Sequence, residues 1–327
     1  MTLFDLDPER ATEGYRRLLD KGREEDRARL DGMYVRAAAF LDANFKDQFA
    51  RATNDRFFEL RLANALMDHD FVLEAAAENR PDFATRLPDG RRLWVEAVGL
   101  SWGQPGNPDR APELKEGLQP APIREVLLRK TSALKEKRDR FRHYGETGVV
   151  VPEDVCVVAM SSGGLHPHVE GVGVPRIVSA VLPFGDEQIT IDRATGDVVA
   201  ITHERRAELT KANGAVVATT AFETPEEYGQ ISAVLHDTTY LGTWRGDLQP
   251  ARWVTVDNPT ALVPPPEQLF AWGTRYRAVS VDGAVQLQEK PAADPYHRHR
   301  PVGHDAKVES PATCGTSNGP EPADCGH

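Results

Sequence analysis

The stretch NRPDFATRLPDGRRLWVEAV, residues 79–98, decides the fold. Pro88-Asp89-Gly90 is a turn signal between two short β-compatible runs, DFATRL and RLWVEAV, so the stretch reads as a hairpin. A further run, FVLEA from Phe71, precedes it across Asn79-Arg80-Pro81 and completes a three-strand meander. In LWVEAV, strand alternation puts Trp94, Glu96 and Val98 on one face and Leu93, Val95 and Ala97 on the other. Glu96 then sits mid-strand among apolar neighbours. An unpaired charge there is costly, so a cation must stand opposite it. Asp82 follows Pro81 where the chain enters the hairpin. Asp82 and Glu96 can therefore lie on adjacent strands and offer the paired carboxylate oxygens that a hard cation such as Mg²⁺ or Mn²⁺ takes.

Upstream, residues 8–67 carry no proline after Pro8, and Leu, Ala, Tyr and Phe recur at helical spacing among many charges, which predicts two or three amphipathic helices. On a wheel of TNDRFFELRLANAL (53–66), Glu59 falls among Leu62, Ala63 and Leu66 on the apolar face. A carboxylate aimed at a core needs a partner, either a structural salt bridge or backbone cap, or a functional group. Downstream, residues 101–122 are rich in Pro and Gly and form a loop, and Pro122 opens a helix that runs to about Tyr144. In IREVLLRKTSALKEKRDRFRHY (123–144), Ile123, Leu127, Leu134 and Phe141 fall within about 40° of one line, and Lys130 and Lys137 share that stripe while Lys135 turns away. The chain has only nine lysines. The two on the stripe either snorkel out along their stems or meet a buried acid. Arg124, Arg129, Arg138, Arg140 and Arg142 surround them and form either a solvated face or a groove for a phosphate backbone.

The rest of the chain is β-rich. VCVVAM (155–160) reads as a buried strand; IVSAVL, EQITID, DVVAIT and GAVVATT give a β-rich insertion around 173–220; and ISAVLHD and ARWVTVD supply two more strands. Residues 290–327 hold prolines, glycines and four histidines with almost no large apolar side chains, so they read as a disordered tail. The 327 residues are 40% hydrophobic, enough for a sizeable core, and carry a net charge of −11, which excludes a protein that coats DNA by bulk positive charge. Three cysteines without C-x-x-C spacing argue against a disulfide scaffold or thiolate zinc site, and no signal peptide or membrane-length apolar run stands out, so a cytoplasmic location is expected. No dinucleotide, P-loop or nucleophile-elbow spacing occurs. His203-Glu204-Arg205-Arg206-Ala207 begins like a zincin helix but lacks the second histidine, and the H-x-H pairs 166/168 and 297/299 read as solvated loop residues.

Glu59 on a helix, Pro81-Asp82, a hairpin, then Glu96 in an apolar strand resembles the PD-(D/E)xK nuclease superfamily over residues 53–161. The resemblance implies an α/β fold with a restriction-endonuclease-like core of helix, three-strand meander, helix and strand. N-terminal helices (1–50) precede a nuclease-like domain (51–289) with its β-rich additions, and the tail follows. It implies metal-assisted phosphodiester hydrolysis of nucleic acid, DNA named first. Asp82 and Glu96 would hold Mg²⁺ or Mn²⁺, and Glu59 would order a water or second ion. The family's lysine two residues after the glutamate is Val98 here. In some members a neighbouring helix supplies that lysine, which implies Lys137 first and Lys130 second. Arg124, Arg129, Arg138 and Arg142 are the candidate nucleic-acid contacts. Two alternatives stay open: a catalytically inactive binding module on the same fold, and an interaction scaffold built on the N-terminal helices.

Overall fold

The structure, a computed structural model, describes residues 2–110, 121–165, 170, 173–242, 244, 253–281 and 284–293. Four helices open the chain: α1 (Glu13–Leu19), α2 (Glu24–Ala37), α3 (Phe45–Arg51) and α4 (Thr53–Asp68). The Thr12 hydroxyl accepts the Tyr15 N–H at 3.3 Å and so caps α1. The apolar periodicity of these helices buries Tyr15, Leu30, Phe45 and Phe49 together, with the Tyr15 and Phe49 rings edge to face.

A seven-stranded sheet follows, in the order β1 (Phe83–Arg86), β2 (Arg92–Gly99), β3 (Val155–Ser161), β8 (Ala233–Asp237), β9 (Trp253–Asp257), β10 (Thr274–Val281) and β11 (Ala284–Lys290). β1 and β2 are an antiparallel hairpin that pairs Phe83 with Val95. β2 runs parallel to β3, and β3 parallel to β8. The 24-residue helix α5 (Ile123–Glu146) makes the crossover from β2 to β3, as a parallel pair requires. Alternation along the strands divides the core in two. Leu93, Val95, Val157 and Leu235 pack with α1–α4 on one face, while Trp94, Val158, Met160 and Val234 pack with α5 and with α6 (Arg176–Val181) on the other. The chain is a mixed α/β protein with helices on both sides of its sheet. The N-terminal helices share a core with that sheet, and the chain through Ala293 forms one compact unit.

Several expectations change. FVLEA makes one isolated bridge, Leu73 to Thr85, instead of a strand, so the meander has two strands. Of that run only Leu73 is fully buried, Phe71 is half-buried against Phe270 and Trp272, and Val72 is 83% exposed; one fully buried side chain does not hold a strand in register. IVSAVL forms α6 and not a strand, because a short run buried on every side carries no period to tell the two apart. The rest of the 173–220 segment is β-rich, with hairpins β4 (Phe184–Ile191)–β5 (Val198–Arg205) and β6 (Glu208–Thr210)–β7 (Val216–Ala218) as two small separate sheets. A short helix α7 (Pro225–Tyr228) leads into β8. The segment 290–327 begins inside structure: Lys290 ends β11 and pairs with Glu267 at 2.9 Å. The rest of that expected tail, from residue 294, lies outside the described residues. Among the described residues no helix is long and apolar enough to cross a membrane.

Candidate functional site

Glu96 is the centre of the site. Alternation in β2 turns it toward α5, where it is only 1% exposed. There Lys137 Nζ and Arg140 Nη1 each donate to its Oε1 at 2.9 Å. Its other oxygen, Oε2, is buried with no hydrogen-bond partner among the described residues. Lys137 reaches it because the α5 stripe holding Leu134 and Phe141 packs on the sheet and carries the lysine down with it.

Asp82 stands just before β1, next to the Phe83–Val95 pair. Its Oδ2 accepts the backbone N–H of Ala97 at 2.6 Å, so it is fixed to the strand that carries Glu96. Burial, and then the charge of Glu96, push its carboxyl well above the usual range, against the pull of Lys137 and Arg140. Glu59 enters from α4 in contact with Arg56. Burial and the nearby Asp82 push it up to about 8, overriding that arginine. Asp82 therefore feels Glu96 and Lys137 and in turn acts on Glu59, although the four come from a helix, a hairpin and a second helix.

Lys130 does not join them. It precedes Lys137 by seven residues, roughly 10 Å along the helix. It is fully buried in a second cluster, where its ammonium donates to Ser162 Oγ (2.6 Å), His236 Nε2 (2.7 Å) and Glu170 Oε1 (2.8 Å). All three of its N–H groups are used. Lys135 is exposed and pairs with Asp139 at 3.4 Å.

Arg124, Arg138 and Arg142 lie on the outer flank of α5, turned about 100–140° from Lys137 at 100° per residue. They are paired with acids: Arg124 with Glu125, Arg138 with Asp139 and Glu227, and Arg142 with Asp139. Arg129 donates to the Ser101 carbonyl at 3.0 Å. The structure does not bring these four to the carboxylates. The arginine at the site is Arg140, with a side chain 51% exposed.

Three residues escaped the sequence reading as site members. Asp55 lies one turn before Glu59, so close to Gly99 that a Cβ there would collide with its carboxylate. Although the residue is exposed, the close approach of Gly99 removes water from its carboxyl and raises its pKa, and Arg56 and Lys137 oppose the rise. The i, i+4 spacing to Glu59 was the available signal. Arg140 could be placed on α5 but not aimed. Tyr144 is pushed up to about 12 by burial and the charge of Glu96, and no local pattern in the sequence marks it.

Among the described residues no group of three or more His, Cys, Asp or Glu side chains is arranged to hold a metal ion. The pair Asp82 and Glu96 fits a smaller demand. Mg²⁺ is commonly held by one or two carboxylates, with waters and substrate phosphate completing the shell. The partnerless Glu96 Oε2 and the acid excess that raises Asp82 are what such a cation would relieve. His203 and Glu204 lie in β5, so the zincin-like run is not helical. Both H-x-H pairs fall outside the described residues. No protein-family model, no curated protein and no solved structure matches this chain.

Proposed function

We propose that the chain is a metal-dependent phosphodiesterase acting on nucleic acid, DNA first, built on a PD-(D/E)xK-like core whose lysine has moved to the neighbouring helix. The observation that carries this reading is Lys137 Nζ, 2.9 Å from Glu96 and beside Asp82, supplying from α5 the cation that Val98 does not. The element order supports it: α4, hairpin, α5 and β3 follow one another in the superfamily's order, with a two-strand hairpin and one bridge in place of its three-strand meander. Asp82 and Glu96, through its Oε2, would hold Mg²⁺ or Mn²⁺. When bound, the ion lowers the pKa of a water and offsets charge on the scissile phosphate.

Lys137 keeps Glu96 oriented and places a positive charge where phosphate oxygens gain negative charge. Arg140, half exposed at the rim, presents its remaining N–H groups to an incoming phosphodiester. Glu59, a weak acid of pKa about 8, orders a water and exchanges a proton with it. The cytoplasm is the site of action this reading takes, on the sequence argument from cysteine usage.

One observation favours a non-catalytic module on the same fold: Glu96 Oε1 is already saturated by Lys137 and Arg140. A cleavage assay on plasmid and single-stranded substrates with Mg²⁺ or Mn²⁺ separates the two. Wild-type cleavage should fall about 10²-fold or more in Lys137→Ala, the usual cost of removing one charge-stabilising group, and in Glu96→Gln, while Lys130→Arg stays active. Retained binding without cleavage by the wild type would establish the module, and activity that survives Lys137→Ala would sink the displaced-lysine mechanism.

A further inference from the structure

We infer that a cavity on the outer side of α5, apart from the carboxylates, binds a phosphate monoester carried on a body the size of a nucleoside. The cavity has a volume of about 430 Å³ and lies between α5, the β6–β7 hairpin and α7. That size is within the range of small-molecule sites.

Among the described residues its charges are unbalanced. Two acids line it, Asp109 and Glu227, and both are engaged: Asp109 accepts the Ala212 N–H at 2.8 Å and lies 3.7 Å from Arg124, and Glu227 pairs with Arg138. Three other lining cations pair with neither of these acids. Among the described residues Arg129 is bonded only to a neutral carbonyl, that of Ser101. Lys135 has one loose, exposed contact with Asp139 at 3.4 Å. Lys211 has no carboxylate partner among the described residues. In a protein of net charge −11, a concave site whose described lining carries four cations against two acids draws in an anion.

The rest of the lining suits the remainder of such a ligand. Leu128, Val217 and Ala221 give apolar wall, and Tyr228 gives a ring whose electron density is already engaged by Arg138, 4.9 Å from its centroid. Ser132 and Thr220 stand in the same wall and bring hydroxyl groups for a ribose or phosphate oxygen. Arg129 and Arg138, candidate nucleic-acid contacts by sequence, thus belong to a bounded cavity, away from Glu96. The assignment does not depend on the nuclease reading.

Thermal unfolding and calorimetric titration of the full chain test it with inorganic phosphate, adenosine, AMP and a 5′-phosphorylated hexanucleotide. AMP at millimolar concentration should raise Tm by about 2 °C or more, the scale expected when ligand exceeds Kd many-fold, and adenosine should not. A larger shift with the hexanucleotide would place the same monoester at a strand end; a larger shift with AMP would make it a free nucleotide. Lys211→Glu and Lys135→Glu should each lose the shift with ligand-free Tm unchanged, and Glu96→Gln should keep it. No shift with AMP or the hexanucleotide, an equal shift with adenosine or with inorganic phosphate, or a shift intact in both lysine variants would overturn the assignment.

Discussion

Glu59 shows how a single side chain can stand against stability while serving a site. It is 7% exposed, its pKa is raised to about 8, and its nearest cation, Arg56, does not bring it back. In the unfolded chain the same carboxyl titrates near 4.3. Between those two values the folded state holds the proton and the unfolded state has lost it, so stability falls as pH rises from about 4.5 to about 8. Glu59→Gln removes the titration and keeps an acceptor for Arg56. The variant should have a higher Tm than wild type at pH 8 and a flatter Tm profile between pH 5 and 8. Equal slopes in the two proteins would show that another group carries the dependence. The wheel of residues 53–66 made the inward direction of Glu59 legible, and strand alternation did the same for Glu96. Asp55 was open to the same argument through its spacing. Tyr144 was not, because its role comes from a charge 48 residues away in sequence.

Helix α5 buries two lysines on one stripe and gives them separate partners. Periodicity placed both on the inward face but assigned them to one site. Two helical turns separate them, and the sheet beneath presents Glu96 to one and Ser162 with His236 to the other. His236 is driven down to about 3 by burial and by Lys130, so it is neutral and its Nε2 accepts from the ammonium. Lys130, despite its own burial, holds Glu170 down to about 2. That depressed carboxyl adds stability above its unfolded pKa, and the contribution is lost as pH falls from about 4.5 toward 2. Lys130→Met should cost roughly 3–5 kcal/mol at pH 7, because it strands a buried carboxylate. The penalty should shrink at pH 4, where Glu170 without its lysine takes up a proton. Urea unfolding of both proteins at the two pH values measures this; a penalty independent of pH would mean that lost packing, not charge, explains it.

For the whole molecule, the sheet extends further than its strongest sequence signals. β10 and β11 pair over seven residues, from Arg275–Lys290 to Val281–Ala284, and the Ala293 N–H is bonded to the Ala271 carbonyl at 2.8 Å. Removal of residues 294–327 should leave Tm unchanged, since their composition offers no core, and a loss of several degrees would show that they dock. Removal from residue 284 should lower Tm clearly, because it strips an edge strand and the Lys290–Glu267 pair. The amino-acid sequence by itself determined which faces of α4, β2 and α5 turn inward, the hairpin at Pro88-Asp89-Gly90 and the presence of buried charge on each element. Those follow from local periods of 3.6 and 2 and from turn chemistry, which act over a few residues. Only the tertiary structure decided that FVLEA stays a single bridge, that IVSAVL is a helix, that Lys137 and not Lys130 meets Glu96, and that most of the α5 arginines line a separate cavity or pair with nearby acids. Each of these depends on how far one element slides along another, and that distance is set by the packing of the whole core rather than by any local pattern.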